Sequence, residues 1–282
     1  MAYTDSGGDG ELVLLVHAGV FGAWFEPLAA EPALAGLRIV RMVRAGYTGP
    51  TPDRPLTLTD HATHCAALLD ELGGGPATVV GHSSSSAIAL QLAVDRPDLV
   101  RGLVLGEPPL IEQLIDPEDA AAVRDAFRPV GQAVAAAAAG DDVSAAYDAF
   151  MGVVCGPHHR QVVTAALGGD GLARAVQDSA YFFRDEVAAA AQWEFDAATA
   201  ARVRTPVLLV QGGASPPPTH RLVARLAALL PDVGVVTFDD DNHLLPLQSP
   251  AALARLVADH TRARNSLDHR KVMGPTALSS KA

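Results

Sequence analysis

A short serine-containing turn constrains the fold of this chain more than any other feature. Gly81-His82-Ser83-Ser84-Ser85 directly follows an apolar run, residues 77–80, and opens an amphipathic run, residues 87–93. This order predicts a buried strand, a sharp turn and a helix, with the middle serine at the apex. Such a turn needs small residues two positions before and after that serine, and the first and last members meet this need. An ordinary polar turn is the alternative interpretation, but both flanking runs have the character that the sharp turn requires.

Composition narrows the classes of function. The chain has 282 residues and a formal net charge of −11, which suits one large α/β domain and argues against nucleic acids or anionic membranes as partners. Cys65 and Cys155 lie far apart without metal-ligand spacing, which indicates reduced thiols in a cytoplasmic protein. The first nine residues are polar, and no apolar stretch is long enough to span a bilayer. We therefore expect neither a signal peptide nor a membrane anchor.

Apolar runs alternate with helical patterns along most of the chain, which predicts a parallel sheet with right-handed crossovers. The predicted strands are residues 12–16, 38–43, 77–80, 103–105, 207–210 and 233–238. The predicted helices between them are residues 59–72, 85–95, 220–230 and 250–261. Residues 110–203 lack a convincing strand and contain several helical patterns. The predicted organisation is a core (1–109 and 204–261), a helical insert (110–203) and a disordered tail (262–282).

Several motifs occur in the order typical of one family. Leu15-Val16-His17-Ala18-Gly19 ends the first predicted core strand, Arg44-Ala45-Gly46-Tyr47 follows the next, and Asn242-His243 follows the last. Together with the serine turn, they make residues 12–261 resemble the α/β-hydrolase fold superfamily, serine-nucleophile members with a helical cap. The resemblance implies an α/β fold with a mostly parallel sheet flanked by helices and an inserted cap. Two departures are Ala18 in place of a glycine and a leading hairpin that is missing or vestigial, since the first predicted core strand begins close to the start of the sequence.

A serine hydroxyl is a poor nucleophile unless a base takes its proton and a third group orients that base. The resemblance places Ser83 as nucleophile and His243 as base, in a loop at the carboxyl edge of the sheet. It also implies an oxyanion hole formed by the backbone N–H of Ser84 and that of Gly19, with Val20 as the alternative. These donors would stabilise the negative charge that develops in acyl transfer.

The acid is the weakest element of the pattern. The family's usual position follows the strand at residues 207–210, and there Ala214 stands where an aspartate is expected. Some members of the fold take the acid from the end of the preceding strand, which is the place of Glu107 in this chain. We therefore expect Glu107 to orient His243. The alternative is that Glu107 caps its loop or pairs with an arginine such as Arg44.

Aromatic residues are scarce, yet they concentrate in two places. Trp24 follows the proposed oxyanion loop, and Tyr181, Phe182 and Trp193 lie near the end of the helical insert. This concentration predicts an apolar substrate pocket between insert and core. Packing of the insert on the core is the alternative role for each of these residues.

The sequence favours a cofactor-independent serine hydrolase that cleaves an apolar ester, lactone or related acyl compound. His61 and His64 share a predicted helix face, but no third ligand accompanies them, so we expect no metal site. Two other functions remain open. The absent acid at 214 and the run of serines in place of glycines would also fit a repurposed lyase, cyclase or isomerase. A non-catalytic ligand-binding protein would need neither Ser83 nor His243. The oligomeric state is not indicated.

Overall fold

The sheet confirms the predicted α/β architecture. The computed structural model describes residues 1–73, 75–111, 113–140 and 142–272. In this part of the chain the strands are β1 (Ala2–Asp5), β2 (Leu12–Val16), β3 (Arg38–Val43), β4 (Ala77–His82), β5 (Val100–Gly106), β6 (Val207–Gly212) and β7 (Val233–Phe238). Their order across the sheet is β1-β3-β2-β4-β5-β6-β7. β1 is antiparallel to β3, and all other neighbours are parallel.

Both faces of the sheet are covered, which explains the continuous apolar runs of the central strands. The helices are α1 (Glu26–Ala29), α2 (Leu58–Leu72), α3 (Ser84–Asp95), α4 (Pro117–Gly140), α5 (Val143–Cys155), α6 (His159–Tyr181), α7 (Val187–Ala190), α8 (Ala197–Ala200), α9 (Pro217–Leu229), α10 (Leu245–Gln248) and α11 (Pro250–Val272). In β2, Leu12, Leu14 and Val16 join a core cluster with α2, α3 and α9. Val13 and Leu15 point to the other face and join a cluster with α1 and α11. The alternation follows from the two-residue period of a strand.

β1 is the strand that the sequence analysis did not predict. Its four residues are all exposed, and they pair with β3 in the register Ala2↔Val43 to Asp5↔Val40. An edge strand on the solvent side needs no apolar run, so it leaves no hydrophobic signal. The segment before β2 is therefore a short edge strand paired with β3, and not a hairpin with β2.

The connection between β5 and β6 carries the helical insert. Its described residues form α4 to α8 and no strand, with a backbone break inside α6 at Gly168 (φ 75°) and a π-helical turn at Phe182–Glu186. One apolar cluster joins Tyr147, Met151 and Val163 of the insert to Phe21 and Trp24 of the core. The insert therefore packs on the loop between β2 and α1. The predicted limits at 110 and 203 fall in the connections on either side of it.

The last helix extends further than the sequence pattern indicates. α11 continues from Pro250 to Val272, whereas the sequence analysis ended it at Thr261 and began a disordered tail at 262. The remainder of the predicted tail, 273–282, lies outside the described residues. No helix in the described part of the chain is both long and apolar enough to cross a membrane.

A single residue makes the turn between β4 and α3. Ser83 has φ 52° and ψ −125°, outside the regions that side-chain-bearing residues ordinarily adopt. Its N–H donates to the Gly106 carbonyl (2.9 Å), which anchors the turn to β5. A Cβ on Gly81 would lie 2.5 Å from the Ser85 carbonyl oxygen, so the turn closes only over a glycine.

We expect Gly81→Ala to lower the free energy of unfolding by about 1–3 kcal/mol, because the methyl group meets rigid backbone. Chemical denaturation measures this loss. Gly152→Ala is the matched control. Gly152 lies in α5, and a Cβ there meets nothing within 4 Å. Helix propensity should make that variant about 0.5–1 kcal/mol more stable. Equal stability of the two variants would contradict the steric argument.

Candidate active site

Ser85 replaces a glycine in the turn without loosening it. The His82 N–H donates to Ser85 Oγ (2.8 Å), and the same hydroxyl donates to the His82 carbonyl (2.9 Å). Ser85 is completely buried, so its hydroxyl is satisfied by the backbone of the turn itself. The third residue of the turn, Ser83, is left at the apex and lines a cavity.

The structure brings His243 and Glu107 together. Nδ1 of His243, in the loop after β7, donates to Glu107 Oε2 at 2.7 Å. The other carboxylate oxygen, Oε1, accepts from the Gly212 N–H (2.7 Å) and from Ser215 Oγ (2.5 Å). A proton held on Nδ1 leaves Nε2 of a neutral imidazole free to accept one. The pair therefore has the tautomer that a general base needs.

Glu107 is ionised at neutral pH although it is fully buried. Burial alone would raise its pKa. The hydrogen bond from His243 and the charge of that ring lower the pKa, as do the hydrogen bonds from Ser215 and Gly212, and together they outweigh burial. The result is a pKa lowered from 4.5 to about 2. Glu107 itself has φ 38°, so its backbone is strained at the point where β5 ends.

The geometry changes the expected position of the usual acid and excludes the alternative role of Glu107. Ala214 is exposed, and its neighbour Ser215 is the residue of that loop that contacts the Glu107 carboxylate. The position facing the acid is therefore 215. The alternative pairing of Glu107 with Arg44 does not occur, because the guanidinium of Arg44 pairs with Glu186 at 3.0 Å.

His82 contacts both the backbone and the ring of His243, and this contact was not expected from the sequence. Its Nε2 donates to the backbone carbonyl of His243 (2.8 Å), and the ring centroids are 4.6 Å apart. Burial and then the neighbouring His243 lower the pKa of His82 to about 3, so the ring is neutral. Its place beside Ser83 in the turn is visible in the sequence, but its partner lies 161 residues away in the loop after β7.

The loop after β2 presents unpaired backbone donors to the cavity. Val20 has φ 74°, and across it the Phe21 N–H donates to the Gly19 carbonyl (3.0 Å). Trp24 Nε1 donates to the same carbonyl (2.8 Å). Within the described residues the N–H groups of Gly19 and Val20 have no acceptor. Ser84 is the first residue of α3, so its N–H has no carbonyl one turn earlier in the helix.

These groups meet in one apolar cavity of about 600 Å³. Besides Ser83, Ser84, Gly19, Glu107 and His243, its wall is built almost entirely from apolar side chains of the insert and of the segments that follow β2, β5 and β6. They are Ala18, Val20, Trp24, Pro108, Pro109, Leu110, Ala122, Val123, Ala126, Phe127, Phe150, Met151, Val153, Val154, Cys155, Phe182, Val187, Ala190, Ala191, Pro216 and Pro218, with Thr219. Among the described residues no cluster of three or more His, Cys, Asp or Glu could hold a metal ion.

Two of the four predicted pocket aromatics lie elsewhere. Trp24 and Phe182 line the cavity, but Tyr181 and Trp193 do not. The Tyr181 ring packs on Gly46 and beside Tyr47 (5.3 Å between centroids), at the junction of insert and core. Trp193 stacks on Phe195 (5.0 Å), and its Nε1 donates to the side chain of Gln91 (2.9 Å). Both have the packing role. Tyr181 ends α6 and Trp193 lies in the connection between α7 and α8, so nearness to Phe182 in sequence does not place either side chain in the cavity wall.

The free energy of unfolding should fall more steeply with decreasing pH in the wild type than in Glu107→Gln. A carboxyl group whose folded pKa is lowered from 4.5 to about 2 stabilises the fold above pH 4.5, and this contribution is lost as the pH falls toward 2. The lost free energy is on the order of 3 kcal/mol. Urea unfolding between pH 5 and pH 2 measures the difference, with exposed Glu194→Gln as the control. Parallel curves for wild type and Glu107→Gln would contradict the assignment.

Known proteins share this architecture. Lipase LipV from Mycobacterium tuberculosis is 50% identical over 54 residues, which are 19% of this chain and 21% of the lipase. The alignment thus spans about a fifth of that relative's length. A thermophilic esterase from Thermogutta terrifontis superposes with a TM-score of 0.70 at 19% identity, covering 93% of both chains. Est816, described as an N-acyl homoserine lactone degrading enzyme, superposes with a TM-score of 0.65 at 21% identity, covering 91% of this chain and 95% of its own.

The sequence match to a family is much longer than the match to the lipase. Residues 13–256 match the alpha/beta hydrolase family, a range that begins in β2 and ends in α11. The solved structures, at this low identity, show the shared fold. On the extent of the family match, this chain belongs to the alpha/beta hydrolase family.

Proposed function

We propose that the protein is a serine hydrolase that cleaves an apolar ester or lactone through an acyl-enzyme on Ser83. The observation that carries the proposal is the 2.7 Å hydrogen bond from His243 Nδ1 to the buried carboxylate of Glu107, at the cavity that Ser83 also lines. A base, the group that orients it and a hydroxyl on a strained turn are the parts that acyl transfer requires.

The proposed reaction begins when Ser83 Oγ attacks the acyl carbon while His243 Nε2 takes the hydroxyl proton. The carbonyl oxygen becomes an oxyanion, which accepts hydrogen bonds from the N–H of Ser84 and that of Gly19 or Val20. Collapse expels the alcohol oxygen, which receives the proton from His243. A water molecule then attacks the acyl-enzyme with His243 again as base, and Ser83 regains its proton as the acid leaves. Glu107 stabilises the imidazolium in both halves without taking its proton.

The cavity supports an uncharged, apolar substrate. Among the described residues that line it there is no lysine or arginine to pair with a carboxylate or phosphate on the substrate. Its volume lies in the range of pockets that bind small molecules. Two neighbours in fold, an esterase and an N-acyl homoserine lactone degrading enzyme, agree with this chemistry.

A fluorophosphonate probe should label Ser83, and peptide mapping should place the adduct on that residue. Ser83→Ala or His243→Ala should abolish labelling and lower kcat for an apolar nitrophenyl ester by about 10⁴-fold or more, since either loss removes the nucleophile or its base. Ser86→Ala is the control, because Ser86 Oγ is buried and bonded to the Gly106 carbonyl. Undiminished turnover by a folded Ser83→Ala variant would exclude the covalent route and favour acid–base chemistry by His243 without an acyl-enzyme.

Glu107→Gln should lower kcat by about 10²–10⁴-fold, because the amide cannot stabilise the imidazolium. Adding Ser215→Asp should restore part of the activity. Ser215 Oγ contacts the carboxylate that binds His243, so an aspartate at 215 would place a new carboxylate next to that site. Ala214→Asp in the same background is the matched control, because residue 214 is exposed. Full activity of Glu107→Gln, or equal rescue from 214 and 215, would contradict the proposed role of Glu107.

A further inference from the structure

A second buried carboxylate lies behind the oxyanion loop. Glu186, at the end of the π-helical turn of the insert, pairs with Arg44 of the core at 3.0 Å, and neither side chain is exposed. The Tyr47 hydroxyl donates to the other oxygen of Glu186 (2.5 Å). Burial alone would lower the pKa of Arg44, but the charge of Glu186 raises it above its ordinary value. This ion pair plays no part in the chemistry of Ser83, His243 and Glu107.

Arg44 connects the ion pair to the oxyanion loop through a single peptide group. The Arg44 Nη2 that binds Glu186 also donates to the Ala18 carbonyl (2.9 Å). His17 Nδ1 donates to the same carbonyl (2.6 Å), and His17 Nε2 accepts from the Arg44 backbone N–H (3.0 Å). The Ala18 carbonyl and the Gly19 N–H belong to one planar peptide unit, in which they point in opposite directions. Fixing the carbonyl therefore fixes the direction of the Gly19 N–H.

Glu186 also contacts both sides of the proposed oxyanion hole. Its Oε1 accepts from Ser84 Oγ at 3.5 Å and lies 3.4 Å from where a Cβ of Gly19 would be. Phe182, one turn earlier in the insert, packs so closely on Gly19 that a Cβ there would lie 2.5 Å from its ring. Only glycine fits between the insert and the loop, so the seating of the insert and the position of the loop are coupled.

We infer that Glu186 is a positioning residue that aligns the oxyanion hole through Arg44 and the Ala18–Gly19 peptide. The oxyanion donors are therefore assembled only while the Phe182–Glu186 turn is seated on the core. The inference rests on the proposed function of Ser83, but the coupling between insert and loop can be measured without catalysis.

The charge of Glu186 and its positioning role predict opposite effects of Glu186→Gln on kcat. A carboxylate this close to the hole repels the oxyanion, and the adjacent Arg44 compensates for that charge. If Glu186 acted by its charge alone, Glu186→Gln would raise kcat. If it acts by positioning, Glu186→Gln lowers kcat, because Arg44 loses its charged partner and one of the two donors to the Ala18 carbonyl is held less firmly.

The test compares Glu186→Gln with Glu194→Gln, a substitution at an exposed glutamate of the same insert. In Glu186→Gln, kcat for an apolar nitrophenyl ester should fall by about 10–100-fold with KM nearly unchanged, a part of the loss expected when one oxyanion donor is removed. Inhibition by phenylboronic acid, whose tetrahedral adduct places an oxygen in the hole, should weaken by the same factor. Glu194→Gln should match wild type in each measurement.

Hydrogen exchange of the Phe21 and Gly22 amides supplies the readout that is independent of catalysis. These N–H groups donate to the Gly19 carbonyl and to Asp178. In Glu186→Gln they should exchange faster by a factor on the order of ten, because the loop is released. A wild type that neither hydrolyses esters nor labels at Ser83 would refute the proposed function, while this exchange result would still decide the coupling.

Tyr47→Phe decides the question if Glu186→Gln does not fold. It removes one hydrogen bond to Glu186 and leaves the ion pair, so kcat and boronate affinity should fall together by a smaller factor. An increase in kcat, a change confined to KM, or unchanged exchange at Phe21 and Gly22 in folded variants would overturn the inference.

Discussion

A buried carboxylate at the end of β5 is the constraint around which the site is arranged. A charge without solvent is tolerated only when donors surround it, and Glu107 accepts from His243, Gly212 and Ser215. These donors come from the end of β6 and from the loops after β6 and β7, the two strands that follow β5 in the sheet order. The parallel arrangement brings those strand ends to one edge, where their loops can converge on a single side chain. The strained backbone of Glu107 and Ser83 persists because this packing and bonding over-determine it.

The elements that the sequence predicts well are those whose signal is local. Continuous apolar runs identify the strands buried on both faces, and Gly81 with Ser85 identifies the turn at Ser83 because the steric requirement lies within five residues of chain. β1 carries no such signal, since its pairing with β3 requires nothing of its exposed side chains. The helical pattern of α11 likewise does not mark its end at Val272, because the residues after Thr261 carry no apolar periodicity.

Contacts between distant segments are the part that local pattern could not supply. Glu107 and His243 could be paired from the sequence because the family resemblance gave each a role, whereas Ser215 and His82 became visible only through their hydrogen bonds. Glu186 and Arg44 are 142 residues apart, and nothing in either neighbourhood indicates the other. Trp193 was assigned to the pocket by proximity to Phe182, yet it lies in the connection between α7 and α8 and donates to Gln91. Side-chain direction in a helical insert depends on how the whole insert is seated.

The two buried carboxylates serve the proposed reaction in different ways, Glu107 by its charge and Glu186 by positioning. Positive charge develops on His243, where Glu107 is ionised and in contact. Negative charge develops near Gly19 and Ser84, where Arg44 balances Glu186. The Cys155 thiol shares the cavity, but burial and then the charge of Glu107 raise its pKa well above the ordinary value, so it remains protonated. An apolar wall strengthens each of these interactions because little water screens them. The cavity is therefore suited to a neutral substrate that acquires paired opposite charges in the transition state, with each charge adjacent to a fixed partner.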